Sequence, residues 1–130
     1  MRTNRRKILV VDHDTNFRTA CVSALLPLGC HILEAQDGQQ GYERFVQEGA
    51  DLVISADHLP GLTGIEMVRK IRQTDKEVMV LLLKRDRSDD LEGEAINLGS
   101  CRVLTKPLYP RQFRSLVEAA LPLSSPAETA

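Results

Sequence analysis

Short unbroken apolar runs alternate along the chain with stretches in which apolar residues recur every three or four positions. Ile8, Leu9, Val10 and Val11 form the first run, of the kind a strand buried on both faces requires. After Asp12, His13 and Asp14 comes a helical pattern with Phe17, Cys21, Ala24, Leu25 and Leu28 on one face, stopping around Pro27 and Gly29. Asp14 or Thr15 serves as its N-cap. His31 to Ala35 reads as a second strand closed by an Asp37-Gly38 turn. Gly41 to Glu48 then carries Tyr42, Phe45 and Val46 at helical spacing before the stop at Gly49.

The third strand, Leu52 to Ser55, runs into small and charged residues and then Pro60, Gly61 and Gly64, which is how a buried strand ends in a tight loop. From Gly64 to Thr74, Ile65, Val68 and Ile71 line one side while Arg69, Lys70, Arg72 and Gln73 face water, an amphipathic helix. Val78 to Leu83 is the most apolar run and predicts the fourth strand. Ser88 or Asp89 caps a weaker helix with Leu91, Ala95 and Leu98 inward, ended by Gly99; Arg102 to Thr105 is a short fifth strand. The last helix, Pro110 to Leu121, buries Phe113, Leu116, Val117 and Ala120.

Strict alternation of strands and helices implies an α/β fold, a parallel sheet with helices on both faces, because right-handed crossovers place them there. Every strand then ends at one edge. That edge gathers Asp12, His13, Ala56, Asp57, the end of the fourth strand and Lys106, where ligands of open α/β sheets bind.

Composition narrows the class. The chain has 130 residues, 42% apolar and 27% charged, which suits one globular domain. Residues 1–123 are expected to form it, with 124–130 as a tail or the start of a linker. The net charge of −1 gives no general attraction to nucleic acid or membrane surface, and the cluster Arg2, Arg5, Arg6 and Lys7 reads as a solvated lead-in. No apolar run reaches membrane-spanning length and no signal peptide opens the chain, so a cytoplasmic location is expected. Cys21, Cys30 and Cys101 lack any Cys-x-x-Cys spacing and suggest neither a disulfide framework nor a zinc site.

Three motifs in this order carry a family resemblance: Ile8 to Asp12; Asp51 to Ile54 with Leu59-Pro60-Gly61 and Gly64; and Lys106-Pro107. Together they resemble the receiver domain of bacterial two-component response regulators, covering Lys7 to Leu121. The resemblance implies a CheY-like, flavodoxin-like doubly wound sheet of five strands in the order 2-1-3-4-5, flanked by five helices. It implies a signalling module rather than an enzyme, working with a histidine kinase, an output domain or a second copy through the face of the fourth helix, fifth strand and fifth helix. Arg102, Arg111, Arg114 and Glu118 would lie on that face.

In such receivers an acidic pair holds Mg²⁺, an Asp ending the third strand accepts the phosphoryl group, a Thr or Ser ends the fourth strand, and a Lys contacts the phosphate. Here Lys106 matches. The acceptor, four residues before Pro60, is Ala56, whose methyl group cannot accept phosphate. Asp57 is one residue further, and a one-residue step along a strand turns a side chain to the other face. Asp12 matches the first acidic position, but the second is His13, a poor ligand for Mg²⁺. The hydroxyl position falls on Leu82, Leu83 or Lys84, and the switch aromatic is Val103.

The expectation is therefore a pseudo-receiver in which Mg²⁺ binding, if any, is weak and no cofactor is required. Two alternatives stand beside it. Asp57 could act as a shifted acceptor, or Ala56 could be an engineered replacement of Asp. A small metal-dependent enzyme is the other, with His13, Asp12, Asp57 and His58 near a softer metal; against it, Asp12 to Asn16 contains no Gly to cradle phosphate.

Overall fold

A computed structural model of the chain describes residues 5–85, 91–106 and 108–122. The strands are β1 (Lys7–Val11), β2 (His31–Ala35), β3 (Leu52–Ala56), β4 (Met79–Lys84) and β5 (Cys101–Thr105). They form one parallel sheet in the order β2-β1-β3-β4-β5, as the resemblance implies. The helices are α1 (Thr15–Leu25), α2 (Gly38–Glu48), α3 (Gly64–Arg72), α4 (Leu91–Ile96) and α5 (Pro110–Ala120).

Strand alternation divides the core into two layers. Leu9, Val11, Val53, Val80 and Leu82 face the side covered by α2, α3 and α4, where Phe45, Met67, Ile71 and Leu91 meet them. Ile8, Val10, Leu52, Ile54, Leu81 and Leu83 face α1 and α5, meeting Cys21, Leu25, Phe113 and Val117. With β1, β3 and β4 between both layers, the continuous apolar runs of the sequence are accounted for.

Element ends depart from the sequence pattern where backbone chemistry decides them. α1 stops at Leu25, and a 3-10 turn, Leu26–Leu28, carries the chain over Pro27 to Gly29, whose φ of 69° suits glycine. α2 starts three residues before the apolar pattern does. Asp37 caps it, its carboxylate accepting from the Gln40 amide at 2.7 Å, so Asp37-Gly38 is a helix start rather than a free turn. Val46 faces water at 57% exposure instead of joining Tyr42 and Phe45 inward. β3 extends through Ala56, while β4 begins at Met79 and takes in Lys84. α3 ends at Arg72.

The expected Ser88 or Asp89 cap, Pro107 and the tail 124–130 lie outside the described residues.

Candidate phosphorylation-type site at the carboxyl edge

Parallel strands deliver their last residues to one edge, and there Asp12 follows β1 directly. Its amide donates to the Ala35 carbonyl at 3.1 Å, extending the ladder by one bond, and the residue is 4% exposed. Both carboxylate oxygens are engaged: Oδ1 accepts from the Asp14 amide at 2.9 Å, and Oδ2 accepts from Lys106 Nζ at 3.0 Å. Lys106 is placed by its own amide, which donates to the Lys84 carbonyl at 2.9 Å, and its ammonium sits 3.8 Å from the Phe17 ring centroid. The lysine thus lies between a carboxylate and an aromatic face, both of which attract a cation.

Ala56, 4% exposed, ends β3 opposite Leu83 of β4. Asp57 leaves the strand there. Its amide donates to the Leu83 carbonyl at 3.0 Å, its carbonyl accepts from the Gly64 amide at 2.9 Å, and its Oδ1 accepts from the Ile65 amide at 3.1 Å. The carboxylate is therefore aimed at the first turn of α3, where unpaired amides favour an anion. Gly64 makes this approach possible, because a Cβ there would collide with the Ala56 carbonyl and stand 2.9 Å from the Asp57 Cα. Thr63 and Glu66 complete the helix start with a reciprocal capping box.

At the β4 end, Leu82 and Leu83 are core residues at 0% and 1% exposure, so the polar group there is Lys84. Its Nζ lies 2.8 Å from both carboxylate oxygens of Glu92, in the first turn of α4. That hydrogen bond holds the Glu92 carboxyl below its usual range. Val103 on β5 is partly buried against the α2–α4 layer. His13 and His58 are exposed at the edge.

The structure brings Asp12 and Lys106 together but sends Lys84 to α4 and Asp57 to α3. Two participants are not evident from the sequence. Phe17 reads there only as part of the helical stripe, and Glu92 stands out only as an acidic residue in the first helical turn after a strand-ending lysine. Arg114 has a partner on the other helix of its layer: its guanidinium donates to the Ala24 carbonyl at 2.7 Å, which ties α5 to the end of α1. Burial pushes the Cys21 thiol up to about 12, aided by the Asp12 carboxylate, and Cys101 up to about 11. Cys21 packs in the α1–α5 layer and Cys101 against the other.

A five-stranded parallel sheet of this order, with an acid–lysine pair at its carboxyl edge, defines a CheY-like flavodoxin fold. The model of the response regulator receiver domain matches residues 8–118, and the chain belongs to that family. It is 27% identical to the phosphate regulon transcriptional regulatory protein PhoB of Pseudomonas aeruginosa, over 95% of this chain and 55% of PhoB. It is 28% identical to sporulation initiation phosphotransferase F of Bacillus subtilis, over 92% of this chain and 96% of that protein. Among solved structures, the chemotaxis protein CheY4 of Vibrio cholerae superposes with a TM-score of 0.83 at 25% identity, covering 90% of this chain and 99% of CheY4. The chain spans about half the length of PhoB and of the similar PhoP of Bacillus subtilis, which it covers to 55% and 48%.

Receiver domains act in two-component signalling, are generally not enzymes, and interact with histidine kinases and output domains. They commonly use Mg²⁺ at the phosphorylation site. Mg²⁺ requires several oxygen ligands; at this edge Asp12 accepts from Lys106 and the Asp14 amide, and Ala56 offers no side-chain oxygen, so the side chains present fit the ion poorly. Among the described residues no three His, Cys, Asp or Glu side chains come together as a metal-binding group. No described helix is long and apolar enough to cross a membrane.

Proposed function

We propose that this receiver domain is a pseudo-receiver, a cytoplasmic signalling module that works through protein contacts without aspartyl phosphorylation. The observation that carries the reading is Ala56, a buried methyl group at the end of β3 where the family's acceptor stands. Its surroundings support it. The lysine that would meet a phosphoryl group is paired with Asp12, and the neighbouring carboxylate, Asp57, is engaged with the α3 amide. Contacts with a kinase, an output domain or a second copy would use the α4–β5–α5 face, which exposes Ile96, Arg102, Tyr109, Arg111 and Glu118.

The test is intact mass after incubation with Mg²⁺ and acetyl phosphate, alongside a receiver that is labelled under the same conditions. The expected mass is unchanged. Gain of one phosphoryl group would overturn the reading, and its loss in Asp57→Asn would establish Asp57 as the acceptor instead. Beryllofluoride is likewise expected to leave the amide NMR spectrum unperturbed.

A further inference from the structure

α4 buries only Leu91 and Ala95, while Ile96 stands 79% exposed. α3, by contrast, inserts Ile65, Met67, Val68 and Ile71 into the core. Charged groups supply what apolar packing does not. From beneath, Lys84 of β4, 4% exposed, reaches both carboxylate oxygens of Glu92. From the side, Arg69 of α3 pairs with Glu94 at 3.2 Å. Just past the helix, Arg72 of α3 donates to the carbonyls of Leu98 at 2.7 Å, Gly99 at 2.8 Å and Ser100 at 3.2 Å. Every donor belongs to β4 or α3, and every acceptor belongs to α4 or the turn that follows.

We propose that α4 is an ionically latched element, held on the sheet by Lys84, Arg69 and Arg72, which releases as a local unit when the Lys84–Glu92 and Arg69–Glu94 pairs are broken. The two pairs are not equivalent. An exposed pair such as Arg69–Glu94 is individually weak, whereas the Lys84 side chain, 4% exposed, meets both carboxylate oxygens of Glu92 at 2.8 Å, which makes Glu92 the stronger catch. Release uncovers the apolar strip beneath Leu91 and Ala95 and gives the adjoining α4–β5 surface a second arrangement. The latch does not depend on the acceptor reading, since it is argued from the contacts with Glu92, Glu94 and the carbonyls of residues 98–100.

Hydrogen–deuterium exchange of the full 130-residue chain, read by mass spectrometry, tests it. In Glu92→Gln/Glu94→Gln, amides of residues 91–98 are expected to exchange about tenfold faster, with peptides from β1 and β3 unchanged. Lys84→Met breaks the Glu92 pair from the other side, with no change to the helix, and is likewise expected to loosen residues 91–98. Exchange within about twofold of the wild type in both variants would overturn the latch. So would an equal rise across β1, β3 and α4, which would make the pairs contributors to global stability alone.

Discussion

Asp57 shows how a single step along a strand changes a residue's chemistry. Its backbone joins β4 and α3, and its carboxylate serves the Ile65 amide. Asp57→Ala is therefore expected to lower the free energy of unfolding by about 1 kcal/mol, the usual net contribution of one hydrogen bond, in urea denaturation. Asp57→Asn, whose amide oxygen still accepts, is expected to lose less. A neutral Asp57→Ala would show that the carboxylate does not serve α3. The sequence placed Ala56 by counting from Pro60 and put Asp57 on the other face. It could not reveal that Asp57 meets Ile65, since that depends on how the loop enters α3. Nor could spacing show Phe17 beneath Lys106, because an aromatic on a helical stripe reads equally well as core.

At the scale of elements, the strands were legible because β1, β3 and β4 are covered on both faces and must be apolar throughout. Helix ends were less legible, because they answer to caps such as Asp37 and to Gly29 rather than to periodicity. α4 was the faintest helix for a physical reason: ion pairs secure it, and these leave no apolar pattern. Its Glu92 carboxyl titrates below its ordinary value of about 4.5, through its hydrogen bond with Lys84. A group with a depressed folded pKa contributes stability above its unfolded pKa and loses it as pH falls through the folded one. The difference in unfolding midpoint between the wild type and Glu92→Gln is accordingly expected to be full near about pH 6 and to shrink below about pH 4.5. A difference that stays constant down to about pH 3 would exclude the pair as its source.

Across the whole molecule, the Asp12–Lys106 pair joins residues 94 apart in sequence and ties the end of β1 to the end of β5. Asp12 has a side chain 6% exposed, so removing its cation leaves a nearly buried charge, while Lys106 at 20% keeps some solvent. Lys106→Met is expected to cost about 2 kcal/mol, below the range for fully buried pairs, by urea unfolding. Asp12→Asn/Lys106→Met is expected to cost less than the sum of the two single variants. Strict additivity would mean that the pair contributes no coupling.

At the opposite end of the sheet, Arg6, just before β1, donates to the carbonyl of Pro122, just after α5, at 2.6 Å. The first and last described segments therefore meet at one pole, and the Asp12–Lys106 pair lies at the other, about 17 Å away along five-residue strands. Polypeptide joined on either side is tethered at that shared pole. Polypeptide attached there reaches the Asp12–Lys106 pair only by running back about 17 Å along the domain's flank.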